Sequence, residues 1–337
     1  MKTKMEVMIL KAQINIADCV VFTFLKFYYI KFSLIRRILS ELWKVLETSG
    51  AKFTIDSWRR KDPKEGGGIT CVLEDGNTFE KAGVNITVMR APLSKKLQDH
   101  MRARLVLILG KDFPEDEDFT FFAAGISSVI HPKNPYVPTI HFNYRYFEVQ
   151  DKDGKQRDWW FGGGTDLTPY YLDKDDVKQF HQTLKDVCDL YDKNTYTKYK
   201  KWCDKYFYIK HRGERRGVGG IFFDDLEGPD QEKIFKFIEG CAQAVIPSYI
   251  PIVKKNMNRE FSENERIWQL LRRGRYVEFN LVYDRGTKFG FSTPNARFES
   301  ILMSLPLTAR WQYMHEPQEG SPEWKLLNVL KNPRDWV

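Results

Sequence analysis

The chain has 337 residues, 15% aromatic and 29% charged, with a formal net charge of +8. That length suits one large domain or two ordinary ones, and the aromatic share excludes a disordered chain. The five scattered cysteines form no Cys-x-x-Cys pair, which argues against a disulfide scaffold or zinc knuckle and suits free buried thiols.

No internal repeat, low-complexity linker or charge block marks a boundary, so residues 38–337 read as one domain behind a divergent segment, residues 1–37. That segment is apolar and basic, and its uncharged run Cys19–Leu25 is too short to span a bilayer. It reads as an extra amphipathic or poorly ordered stretch, with a degenerate targeting segment as the alternative. From Ile38 to Ser49, Leu42, Val45 and Leu46 recur at helical spacing, and Gly50 stops the helix. Trp58–Met89 reads as strands and turns, with Gly66–Leu73 and Phe79–Val88 joined at Asp75-Gly76. A second helix over Leu93–Leu107 presents a Lys/Arg-rich side. Phe119–Ile130 is an apolar, small-residue run carrying Ser127, and His131 follows as a turn residue opening a proline-stiffened loop.

The stretch from Thr139 to Asp166 carries the first functional signal. Thr139–Val149 alternates, and a strand sends successive side chains to opposite faces, so His141, Asn143 and Arg145 share one face while Phe142, Tyr144 and Tyr146 share the other. A proton-transfer group, an amide and a fixed cation in one row are unusual for a structural strand. Asp153-Gly154 signals a hairpin, so a returning strand over Asp158–Phe161 is expected alongside, ending in Gly162-Gly163-Gly164 and followed closely by Asp166.

Beyond Asp166 the chain turns helical over Asp173–Tyr191 and Thr195–Phe207, with His181 read as a packed helix residue. Gly217–Asp225 is glycine-rich, but it lacks the Gly-Lys-Ser/Thr of a P-loop and no helix start follows its strand, so packing is the expected role of those glycines. Gly228-Pro229 opens a helix towards Ala244, with Pro247 and Pro251 breaking its continuation. Ser262–Glu265 is a capping box starting a helix expected to end at Gly274. Period two then predicts a strand over Arg275–Gly286, with Glu278, Asn280 and Asp284 on one face and Arg285 opposite Asp284. A short helix over Ala296–Met303 and a terminal one over Pro322–Leu330 close the chain.

Arg145, Arg212, Arg215, Arg216, Arg272, Arg273, Arg275 and Arg285 cluster in three segments, and Arg suits bidentate carboxylate or phosphate pairing. The aromatics sit mostly at core-like alternate positions instead of interleaving with an extended basic surface. A small polyanionic ligand therefore fits better than a nucleic acid. Pairing with Asp224, Asp225, Glu214 and Glu278 would account for some of these cations. No histidine pair has a metal-ligand spacing, so no metal is expected.

Phe142–Phe147, Trp160–Pro169, His211–Asp225, Arg272–Gly290, Glu299–Pro306 and Pro333–Trp336 together resemble oxygen-dependent coproporphyrinogen III oxidase, in the family's order from about residue 50 onward. The resemblance implies an α+β fold with a large, mostly antiparallel sheet flanked by helices on both sides, and a homodimer through the region Tyr276–Asn295. It implies oxidative decarboxylation of the ring A and B propionates of coproporphyrinogen III to vinyls, giving protoporphyrinogen IX in haem biosynthesis. O2 would be the co-substrate, with no metal or organic cofactor. Carried over residue by residue, His141 matches the proton donor, and Asp166, Asp284, Arg285 and Arg216 match positions implicated in the site. Ser127, Asn143, Tyr144, Arg145, Asn295, Ala296 and Arg297 match substrate contacts, and Arg273 of the arginine cluster joins them. Relatives imply the mitochondrial intermembrane space, with the cytoplasm as the alternative; peripheral membrane contact has no support in the residues.

This chemistry agrees with the residues themselves. Four substrate carboxylates call for arginines, and four inward pyrrole N–H donors call for an acceptor such as Asp284 or Asp166. His141 either manages a proton for reduced oxygen species or only positions substrate. A tetrapyrrole carrier without chemistry would keep the arginines but has little use for His141, Asp166 and Asp284.

Overall fold

Alternating side chains become a sheet only where neighbouring strands take up the backbone hydrogen bonds, and six consecutive segments do so in turn. The computed structural model describes residues 52–93, 118–293 and 296–337. The strands β1 (Thr54–Arg59), β2 (Gly66–Glu74), β3 (Phe79–Pro92), β4 (Thr120–Pro132), β5 (Thr139–Gln150) and β6 (Gln156–Thr168) form an antiparallel meander. The chain then leaves for helices α1 (Lys174–Tyr191) and α2 (Thr195–Tyr206) and a small ribbon, β7 (Tyr208–Ile209) with β8 (Glu214–Arg215). It returns antiparallel to β6 as β9 (Gly219–Leu226), completing a seven-stranded sheet in the order β1-β2-β3-β4-β5-β6-β9. Helices α3 (Gln231–Asn256), α4 (Glu263–Val282), α5 (Arg285–Ser292), α6 (Phe298–Leu302) and α7 (Pro322–Lys331) follow. The α+β class with an antiparallel sheet is as expected.

The two faces of the sheet differ because their side chains do. Ile86, Ile126, Phe142, Tyr144, Phe161 and Phe223 form an apolar face, against which Phe235 of α3 and Tyr199 of α2 pack. Residues one step along each strand make most of the opposite face polar or small: Thr70, Asn85, Ser127, Asn143 and Gly164 stand in register across β2 to β6, and the aromatic Phe222 of β9 ends the row. Helices α4 and α6 meet that second face towards one end. Ser300 bonds Thr70 at 2.9 Å, and Tyr276 lies edge-on to His131.

Glycine shapes the apolar face. A Cβ on Gly163 would lie 2.6 Å from the Tyr144 ring, so β6 runs on through its three glycines to Thr168 instead of ending at them.

Four sequence expectations fail locally. Helix α3 continues through Pro247 and Pro251 to Asn256. Each proline costs roughly 3 kcal/mol, but Val245, Tyr249, Ile250, Ile252 and Val253 are all buried beyond Ala244, each contributing roughly 1.5–3 kcal/mol. Burial wins. Helix α4 does not stop at Gly274 and no strand covers Arg275–Gly286. Trp268, Arg272, Tyr276, Phe279 and Asn280 recur three or four apart on its buried side, and Gly274 is needed because a Cβ there would meet the Arg310 carbonyl oxygen at 2.7 Å. The capping box of Ser262 and Glu265 forms as expected. His131 is no turn residue: it lies within β4, 1% exposed, bonded to Thr139 and to the Ser304 carbonyl. The short late helix spans Phe298–Leu302 rather than Ala296–Met303. The expected helix over Ile38–Ser49, the boundary at residue 38 and most of the helix at Leu93–Leu107 lie outside the described residues.

Candidate active site

Register brings the polar row of β5 against β6: His141 opposite Asp166, Asn143 opposite Gly164 and Arg145 opposite Gly162. His141 Nδ1 lies 2.7 Å from Asp166 Oδ1. The Arg216 guanidinium, delivered by the segment between β8 and β9, grips the same carboxylate with Nη2 at 3.0 and 3.1 Å and Nε at 3.3 Å. Both charged side chains are 2% exposed. Taking two ions out of water costs several kcal/mol each, and only good pairing offsets it. The surroundings supply that pairing. Arg216 also donates to Asn280 of α4 at 2.9 Å, and its guanidinium faces the rings of Phe207, Tyr276 and Phe279 at 4.0, 4.5 and 4.9 Å.

The pair decides the histidine tautomer. Burial would raise the Asp166 carboxyl, but the charge of Arg216 and the contact with His141 outweigh it and hold it below the usual carboxylate range. An ionised carboxylate only accepts, so Nδ1 of His141 carries a proton and donates it to Asp166. Nε2 remains for a ligand, on a side chain 20% exposed. Asp166 thus orients His141 and neutralises the buried Arg216 guanidinium.

A second group lies along the same face. Arg145 of β5 donates to Asn143 at 2.8 Å and pairs with Asp224 of β9 at 2.8 Å. Asp224 also meets Arg285, the first residue of α5, at 3.2 Å. Arg145 and Arg285 are 35% and 58% exposed, so these two cations face solvent where Arg216 does not. Asp284 caps α5, accepting from the backbone N–H and hydroxyl of Thr287, and its other oxygen accepts from the Tyr206 hydroxyl at 2.9 Å. Burial and then the Asp284 charge push the Tyr206 phenol up to about 12. Asp284 and Arg285 therefore do not stand on opposite faces of a strand, as period two implied. They form a helix start, and both reach Tyr206.

Other expected contacts separate from this group. Tyr144 points to the apolar face, 2% exposed, its hydroxyl 2.5 Å from that of Thr165. Arg273 is fully buried, bonded to Glu80 and, at 2.7 Å, to the Pro132 carbonyl; it holds α4 on the sheet. Arg297 reaches Asp56 and Ser300 and lies over the Trp58 ring, at the β1 end of the polar face. Ser127 is half-buried beside Asn143. Ala296 follows two residues outside the described set, one of them Asn295. Of the anticipated counter-ions, Glu214 takes Arg272, and Glu278 takes Arg212 and Arg275. Sequence reasoning missed Tyr206, Phe207 and Asn280 as parts of the site; nothing local distinguishes a helix aromatic that packs from one that borders a site.

A family model described as coproporphyrinogen III oxidase matches residues 31–336. Over 307 residues the chain is 61% identical to a Drosophila melanogaster protein named oxygen-dependent coproporphyrinogen-III oxidase, covering 90% of this chain and 77% of the relative. It is 55% identical over 337 residues to a Rattus norvegicus protein of the same name, designated mitochondrial, covering all of this chain and 69% of the relative. A Glycine max protein of that name, designated chloroplastic, is 54% identical over 312 residues, covering 90% of this chain and 78% of the relative.

Proposed function

The chain belongs to the coproporphyrinogen III oxidase family and is an oxidoreductase of haem biosynthesis, converting the ring A and B propionates of coproporphyrinogen III to vinyls; we propose that it does so on the polar face of the sheet, with O2 as the co-substrate. The observation that carries the site is the His141–Asp166–Arg216 chain, anchored on the buried Asp166–Arg216 pair, which fixes one histidine tautomer beside the half-buried Arg145 and the exposed Arg285.

Each residue then has a role set by its surroundings. Arg145 and Arg285 receive substrate carboxylates, and His141 Nε2 moves a proton to or from reduced oxygen species. Asp284, one oxygen of which accepts from Tyr206, accepts pyrrole N–H donors. Loss of a hydride equivalent and CO2 from a propionate draws electron density from the electron-rich pyrrole, which is why this reading includes no metal or organic cofactor.

The homodimer belongs to the same proposal. Leu281, Val282, Phe289 and Phe291, within Tyr276–Asn295, are exposed apolar side chains on α4 and α5, and Phe298 and Leu302 of α6 continue the patch. A second copy covering this patch accounts for them. A mitochondrial address follows the mammalian relatives, and the intermembrane space is the compartment proposed.

The test is anaerobic mixing with coproporphyrinogen III, then admission of air with no metal or cofactor added, with products read by chromatography as porphyrins. Oxygen-dependent appearance of the divinyl product is expected. Tight binding without turnover would refute the activity and favour a carrier.

A further inference from the structure

Asp224 stands where a substrate carboxylate would be expected to compete with it, between two exposed arginines, and its placement is built by several independent features. Between Phe161 and Gly163 the β6–β9 register slips, so that Asp224 and Asp225 of β9 oppose the single residue Gly162. A bulge of this kind re-aims a side chain. Asp225 takes the left-handed backbone, φ 50°, and its N–H lies 3.2 Å from Asp224 Oδ1; a non-glycine residue adopts that conformation at a cost. Gly162 completes the arrangement: a Cβ there would lie 2.6 Å from Asp224 Oδ1 and 2.8 Å from the Arg145 guanidinium carbon. The side chain is 14% exposed, so the carboxylate is held mostly out of water.

We propose that Asp224 is a positioning residue for substrate, holding Arg145 and Arg285 side by side as a receptor for one carboxylate of the tetrapyrrole. This deepens the reading of the site given above and rests on it. Two guanidiniums and one carboxylate leave one net positive charge, which one propionate neutralises. A guanidinium has five N–H donors, and these contacts engage one or two on each arginine. Asp224 sets the spacing and direction of the two forks. Without it two like charges on β5 and α5 repel, and the receptor must be assembled at the moment of binding, which lowers affinity.

The test uses the full chain and fluorescence titration with coproporphyrin III, the oxidised and fluorescent tetraacid, alongside turnover of coproporphyrinogen III in air. Asp224→Asn and Asp224→Ala are expected to weaken tetraacid binding about tenfold, Asp224→Glu to recover most of that loss, and kcat at saturation to stay within about threefold. The uncharged tetramethyl ester, titrated in parallel, should bind all four proteins alike, which a general loss of structure would not permit. Unchanged tetraacid binding in the Asn variant, tighter binding, or an equal loss for the ester would each overturn the positioning role. Failure of the wild-type chain to turn over coproporphyrinogen III while still binding the tetraacid would sink the activity reading and leave this one standing.

Discussion

Replacing Asp166 by asparagine removes the negative half of a buried ion pair whose partner cannot reach water. Arg216 is 2% exposed, and its contacts to Asp166 are three bonds of 3.0–3.3 Å. Breaking such a pair from one side costs about 3–5 kcal/mol, because an uncompensated charge stays behind. Here Asn280 and three aromatic faces remain to Arg216, which places the expectation at the lower bound, about 3 kcal/mol. At about 2 °C per kcal/mol for a large domain, the melting temperature should fall by about 6 °C at pH 7. Removing both charges is a different perturbation: Asp166→Asn with Arg216→Met should recover most of the loss, since an apolar side chain in place of a buried ion is often neutral or better. The sign with pH follows from the lowered Asp166 carboxyl. A depressed carboxylate contributes stability above its ordinary pKa that is lost as pH falls through the folded value, so the gap between wild type and Asp166→Asn should narrow below about pH 4. Thermal melting of wild type, of each single variant and of the double variant at pH 7, and of wild type and Asp166→Asn down to pH 3, measures this. A single variant melting within 2 °C of wild type, or a double variant falling by the sum of the singles, would refute the reasoning.

Three further outcomes follow from the same geometry. His141→Ala should lose about 10²–10⁴-fold in kcat with tetraacid binding nearly kept; unchanged turnover would end its proton-transfer role. His181 is fully buried between the Tyr196 hydroxyl and the Val218 carbonyl, and burial followed by the Lys200 charge takes it down to about 3. The unfolded chain therefore binds the extra proton first as pH falls below about 6.5, removing about 2 kcal/mol by pH 5; urea unfolding should show a flatter profile over pH 5–7 for His181→Gln, and an identical slope would contradict the assignment. Gly163→Ala places a Cβ 2.6 Å from the Tyr144 ring and 2.7 Å from the Asn143 carbonyl oxygen, so it should lower the melting temperature by several degrees through overpacking of about 1–3 kcal/mol, whereas a neutral effect in the melt would show that the strands can part.

Much of the site was fixed by local pattern. Alternation over Thr139–Val149 placed His141, Asn143 and Arg145 on one face, because a strand has period two whatever it packs against; the Asp153-Gly154 turn, with Gly154 at φ 77°, and the hairpin register then set Asp166 opposite His141. The Ser262 cap was equally readable, since a cap satisfies orphan N–H groups within three residues of itself. Tertiary structure decided what local pattern leaves ambiguous. Tyr276, Phe279 and Asn280 fit a strand and a helix alike, and contact with the Arg310 carbonyl, His131 and Arg216 selected the helix. Pro247 and Pro251 sit in a helix because the residues around them are buried. Above all, the sequence could count arginines but could not separate them. Arg216 is neutralised by Asp166 and Arg273 by Glu80, while Arg145 and Arg285 share Asp224 and stay exposed. Which charge meets which depends on strands and helices brought together from distant parts of the chain, so availability for a ligand is a property of the fold and not of the residue.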